Sequence, residues 1–270
     1  MNNLLVIEIR NCLKRKEFKF IFSILMFLAL GSFLTEVLSS YGQAFFEVRS
    51  RYETGIIQGV HANFFYMFEI LLLPLLAVII YSDSFYMEKK WGVHKIIITR
   101  EKQKKYIIAK GLVIFIITFF TFLLPLILNQ ILCSLVFPKI GLNNKYSLPP
   151  YDIGVQNYHS NMALDLTRIQ NPLLFNVTYM IIISLTAALL AILAYALFFI
   201  YTKNKLTVFL GIFAVYFVLA VALPPQYSLL SYLYQGKISA SHGILIWWTF
   251  LLAASVVITT YKIIQQDLES

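Results

Sequence analysis

The sequence predicts an all-α integral membrane protein of six transmembrane helices, with an N-terminal amphipathic interfacial helix and an outer re-entrant hairpin. Three observations lead there. Hydrophobic residues fill 59% of the 270 positions and charged residues only 13%, too little polar surface to clothe a soluble globule. Six apolar runs each offer roughly the 20 residues that a helix needs to cross the hydrocarbon. They are continuous rather than alternating in polarity, which excludes a barrel and requires the backbone hydrogen bonds to close within helices. Finally, the basic residues gather on alternate connections, as in a chain that crosses an even number of times.

Residues 1–19 come first. Leu5, Ile9, Cys12 and Leu13 fall on one helical stripe, with Glu8, Asn11, Lys14 and Arg15 opposite. This pattern predicts a helix lying in the membrane interface; the alternative is a plain basic flank that only fixes orientation. The predicted spans follow at 20–38, 64–81, 107–137, 173–201, 206–223 and 244–264. The third, as one straight helix, would be about 46 Å long against a hydrocarbon core of about 30 Å, so it must tilt, bend or protrude. Pro125 within it removes a backbone donor and predicts a kink there, as Pro74 does in the second span. The first run is long, follows a basic stretch and lacks a small-residue cleavage pattern, so it is expected to stay as a span.

Two outer segments are long enough to have structure. The stretch 138–172 contains Pro149 and Pro150 and reads as an external loop with a short helix near 161–169. The stretch 224–243 holds Pro224, Pro225, Tyr227, Leu229, Leu230, Tyr232, Leu233 and Tyr234. It is too apolar for a solvated loop and too short to cross, which predicts a re-entrant or interfacial hairpin with tyrosines at headgroup depth. No internal repeat or low-complexity linker divides the chain, so residues 1–270 read as a single transmembrane domain.

Orientation follows from charge. Sixteen Lys and Arg residues fall in 1–19, 82–110, Lys203, Lys205 and Lys262, against six on the other connections. The positive-inside rule then puts both termini in the cytoplasm, with Lys95, Lys203 and Asp267 inside and Arg49, Pro150 and Tyr227 outside. The formal charge of +9 is this topogenic bias plus attraction to anionic membrane lipid, and asks for no nucleic-acid partner. Cys12 and Cys133 fall in different predicted compartments, so no disulfide is expected.

A search for chemistry finds no Gly-rich phosphate loop, no HExxH and no Cys/His cluster at metal spacing, so no catalytic, cofactor-binding or metal-ligating residue is assigned. His61, His159 and His242 all fall on the outer side and read as loop histidines. Asn176, Val177 and Thr178 form a glycosylation sequon that reads as accidental at a membrane boundary. Glu36 lies near the outer end of its run and reads as headgroup-facing. Glu69 lies a turn or more inside its own run, and reads as a polar contact between helices or along a translocation route.

The connection 82–105 carries the strongest local signal. It opens Ser82-Asp83-Ser84-Phe85-Tyr86-Met87-Glu88-Lys89-Lys90-Trp91-Gly92 and continues through an apolar patch at Ile96, Ile97 and Ile98 to Thr99-Arg100. Such a mixture suits a short helix docking on a soluble partner, with Trp91 and the isoleucines as apolar anchors and Glu88 as a charge contact. A juxtamembrane loop that binds lipid explains the same composition. The order of an acidic, small-residue start, Glu88, Gly92, a hydrophobic patch, Thr99-Arg100 and Lys110 resembles the coupling region of type-2 ABC exporter permeases. In plan the resemblance covers the whole chain, while only Glu88, Gly92 and Lys110 carry over by position. The long segment between the third and fourth spans departs from the compact members of that family.

The resemblance implies a membrane-spanning permease subunit of an ATP-driven exporter, without catalysis of its own. ATP and Mg would reside on cytoplasmic ABC ATPase subunits that dock on Glu88, Trp91, Gly92, Ile96 and Ile97. A second permease copy or a related permease would complete the transporter, and a bacterial plasma membrane is the expected setting. An aromatic content of 16% suits an apolar or amphipathic cargo, peptide or lipid-like, although lipid-facing packing explains much of it. The residues alone also fit a non-transporting immunity or sensor protein. An integral-membrane enzyme is disfavoured, because no intramembrane nucleophile, base or metal-ligand constellation appears.

Overall fold

The computed structural model describes residues 2–44, 48–92, 103–139, 163–201, 204–234 and 243–268. Ten α-helices are found among them: α1 (Asn2–Lys14), α2 (Lys16–Ser40), α3 (Asn63–Tyr81), α4 (Ser84–Lys90), α5 (Gln103–Val136), α6 (Asp165–Gln170), α7 (Pro172–Ile200), α8 (Lys205–Ala222), α9 (Leu229–Leu233) and α10 (Gly243–Leu268). A 3-10 turn, Pro225–Tyr227, precedes α9. Six of the helical stretches are long and apolar enough to cross a bilayer, and the molecule is a multi-pass membrane protein.

Each span matches its hydrophobic run and extends past it where polar residues continue the helix. Thus α2 begins at Lys16 and α5 at Gln103, because Lys, Glu and Gln are good helix formers that need not be buried. One extended residue, Arg15 (φ −64°, ψ 142°), separates α1 from α2. α3 runs on through Pro74 and α5 through Pro125 without interruption, so neither proline ends its helix.

α7 is the most buried of the six spans and α10 the least. α7 packs on α3, α5 and α10, and its buried Ala187, Ala188, Ala191, Ala194 and Ala196 allow the close backbone approach on which helix packing in lipid depends. α2 packs on α3 and α5, while α8 leans chiefly on α3. Buried tyrosines pin the bundle by donating to carbonyls of other elements: Tyr66 to Leu233 O (2.7 Å), Tyr195 to Ile107 O (3.2 Å) and Tyr216 to Ile70 O (3.1 Å).

The two ends of the bundle are distinct. Residues 8–15, 81–92, 104–110, 195–201 and 204–205 share one, here termed the basic end; residues 36–44, 48–62, 129–139, 165–176, 224–234 and 243–247 share the other, the far end. The short helix expected near 161–169 is found as α6, shifted towards α7. Of the stretch 224–243, the 3-10 turn and α9 are described, with Leu229, Tyr232 and Leu233 buried. Residues 235–242 lie outside the described residues, as do Lys95, Pro149, Pro150, His159, Lys203 and His242.

Candidate functional site

A balanced cluster of six charges ties the elements of the basic end together. α1 turns Glu8 inward, where it is 4% exposed, although the amphipathic reading places it on the polar side. Leu13, expected on the buried stripe, is 43% exposed. The reason is an attraction the helical wheel does not contain: Glu8 Oε2 accepts from the Tyr81 hydroxyl at 2.7 Å and lies 3.5 Å from Lys110 Nζ. Lys110, on α5, is fully buried and also reaches Glu88 Oε1 on α4 at 2.5 Å. Its Nζ donates to the Tyr106 hydroxyl at 2.8 Å and lies over the Tyr106 ring.

Asp83, between α3 and α4, completes the cluster. Its Oδ1 pairs with Arg15 Nη1 at 2.5 Å and its Oδ2 lies 3.5 Å from Lys205 Nζ at the start of α8. Arg15 also stacks over Tyr81, its guanidinium carbon 4.9 Å from the ring centre. One lysine thus bridges the carboxylates of α1 and α4, and one aspartate bridges the cations that open α2 and α8. Buried charges of this kind add little net stability over apolar packing, yet removing one partner is costly, so the cluster fixes relative geometry.

α4 is seated by its apolar side. Phe85 meets Phe199 with ring centres 4.5 Å apart, and Tyr86 meets Phe198 at 5.7 Å. Its other side carries exposed Lys89, Lys90 and Trp91, the last 66% exposed. Gly92 ends the helix with φ +74°, a left-handed conformation that glycine adopts without strain. Of the residues expected to face a partner, Trp91 and Gly92 are outward, and Glu88 is turned inward to Lys110. Ile96 and Ile97 lie outside the described residues.

The far end holds a second polar seam, one that sequence reasoning did not find. Residues 50–62 form a non-helical segment inserted between α2, α5 and α7, with Thr54, Gly55, Ile56, Ile57 and Gly59 buried. Backbone outside helices is tolerated at such a place only when protein groups satisfy it. Asn129 Oδ1 accepts from the Ile56 amide (2.8 Å), while its amide group donates to Ala29 O and Ser32 Oγ. Gln130 donates to Arg51 O (3.0 Å), and Asn176 to Tyr52 O and to Gln130 Oε1 (2.8 Å each). Gln58 in turn donates to Asn176 Oδ1 at 2.7 Å. Asn176 is fully buried, and this role, rather than its sequon, accounts for the residue.

Glu36 is corrected in the same way. It is 3% exposed rather than headgroup-facing, and its Oε1 accepts from the amides of His61 and Ala62 (2.8 and 2.9 Å) just before α3, where a carboxylate complements the positive end of the helix dipole. A Cβ at Gly59 would fall 2.5 Å from that oxygen, so glycine is needed for the approach. Beside it lies a polar cavity of about 160 Å³ lined by Glu36, Arg49 and His61 among others. Glu69 is 2% exposed on α3, and its Oε1 has no hydrogen-bond partner among the described residues. Cys12 and Cys133 are both free thiols. No group of three or more His, Cys, Asp or Glu side chains is placed to hold a metal among the described residues.

No protein-family model, curated protein or solved structure matches the chain.

Proposed function

We propose that the chain is the membrane-spanning permease subunit of an ATP-driven exporter of the type-2 ABC kind, with its basic end in the cytoplasm. The observation that supports this most is Lys110 held between Glu8 and Glu88. A soluble partner bearing on the exposed side of α4 meets Lys89, Lys90, Trp91 and Gly92. Its force reaches α5 through Glu88 and Lys110, α1 through Lys110 and Glu8, and α7 through the Phe85–Phe199 contact. One short helix thereby moves three elements together, which is what coupling to an ATPase requires.

ATP and its Mg2+ bind on the partner subunits, and this chain supplies the docking helix, the linkage and the route. Interface anchors concentrate in exposed aromatic residues surrounded by lesser contacts, a part that Trp91 fills; Glu88 acts from behind it as a positioning residue. Glu69, buried in a span with an oxygen that has no partner among the described residues, suits a polar step along the route, and the cargo class is apolar or amphipathic, a peptide or a lipid-like molecule. A second permease copy or a related permease completes the transporter.

The test is affinity purification of the full chain from its own membranes in mild detergent. We expect an ATP-hydrolysing subunit to be retained stoichiometrically. Recovery of the chain folded and free of any ATPase would overturn the proposal and favour a self-standing immunity or sensor protein.

A further inference from the structure

We propose that the open cleft between α7, α8 and α10 holds one acyl chain of an anionic phospholipid from the leaflet at the basic end. α8 rests on α3 and α7, α10 chiefly on α7, and the two barely touch one another, which leaves a cleft of about 330 Å³ walled by Leu193, Leu197, Ile212, Val215, Trp247 and Phe250. Two polar groups of its wall are engaged elsewhere. Tyr216 donates to Ile70 O, and Trp247 Nε1 to Tyr227 O at 2.9 Å. The cleft therefore offers hydrocarbon contact and few spare donors, a surface for an alkyl chain rather than for a polar cargo.

Its length suits an alkyl chain. The wall residues of α8 run from Thr207 to Leu219, about 18 Å along the helix. That is close to the depth of one leaflet, half of the ~30 Å hydrocarbon core. At the far end its lining finishes at Leu229 and Trp247, and at the basic end at Tyr201 and Thr207. Lys205 lies there, two residues before Thr207 and with its side chain 34% exposed. Its ammonium carries three donors, enough to meet a lipid phosphate while keeping its contact with Asp83.

Gly211 provides the test, since a Cβ there would meet nothing within 4 Å; a larger side chain can enter the cleft without displacing backbone. The full chain is purified in mild detergent, supplied with equal phosphatidylglycerol and phosphatidylcholine, washed and measured by native mass spectrometry. We expect the wild type to keep one phosphatidylglycerol per chain. Gly211→Phe should lower retention at least tenfold, the effect of excluding about two methylenes. Lys205→Ala should cut the preference for the anionic lipid about fivefold. Val215→Trp fills the same cleft from a side chain already 59% exposed, and replaces Gly211→Phe if that variant is not recovered folded. Equal lipid retention by the wild type and the filled variants would overturn the proposal. So would unchanged lipid with loss of a dimer, which would make the cleft a contact between chains.

Discussion

Lys110 is the residue on which the basic end turns. A fully buried ammonium is stable only when its partners are in place, and here they come from α1 and α4. Lys110→Met should leave Glu8 and Glu88 buried without their cation and cost about 3–5 kcal/mol, read as a lowered Tm in detergent. The triple variant Lys110→Met, Glu8→Gln, Glu88→Gln should recover most of that loss, since replacing a whole buried ionic group is often neutral. A Lys110→Met chain as stable as the wild type would mean the bridge does not form. Nearby, burial pushes the Cys12 thiol up to about 12. Only the thiolate reacts readily, so Cys12 should resist maleimide labelling in the folded protein between pH 7 and 9 and label on unfolding. At this scale the sequence marks Glu88 and Lys110 as notable without pairing them. It gives no sign of the partners of Glu36 or Asn176, because each meets backbone from a segment 25 or more positions away, at His61 and at Tyr52.

The elements divide by the kind of signal that makes them. The six spans are legible because apolar length alone requires a helix in lipid, and the structure adds only polar turns at their ends. The segment 50–62 is illegible for the converse reason: it has no period, and its backbone is satisfied partly by short turns of its own and partly by side chains of α2, α5 and α7. Asn176→Ala should therefore lower stability by about 1–3 kcal/mol, since Tyr52 O and Gln130 Oε1 lose a donor and Gln58 an acceptor in a buried place. Thr178→Ala abolishes the same sequon but removes only a hydroxyl that donates to Leu174 O within its own helix, so its effect should stay within about 0.5 kcal/mol. Melting of both variants in detergent separates the seam from any role of a glycan. The face of α1 is half legible. Cys12 is buried as its stripe predicts, whereas Glu8 turns inward because Tyr81 and Lys110 outweigh the pattern of its own helix.

For the whole molecule, charge predicts orientation. Among the described residues, Arg15, Lys89, Lys90, Lys104, Lys105, Lys110 and Lys205 share one end of the bundle, and the positive-inside rule predicts that this end is cytoplasmic. Single-cysteine variants at Arg49 and Tyr227 should label with an impermeant thiol reagent in intact cells, and variants at Lys95 and Lys203 only after permeabilisation; the reverse pattern would invert the topology. The central claim, that an ATPase docks on the exposed side of α4, is tested by comparing two variants for ATPase co-purification. Trp91→Ala removes an exposed anchor and should weaken association by about 2 kcal/mol, near thirtyfold. Lys104→Ala with Lys105→Ala removes two charges from the exposed start of α5 at the same end and should leave association within a few-fold. Undiminished ATPase retention by Trp91→Ala, or an equal loss in both variants, would contradict the account.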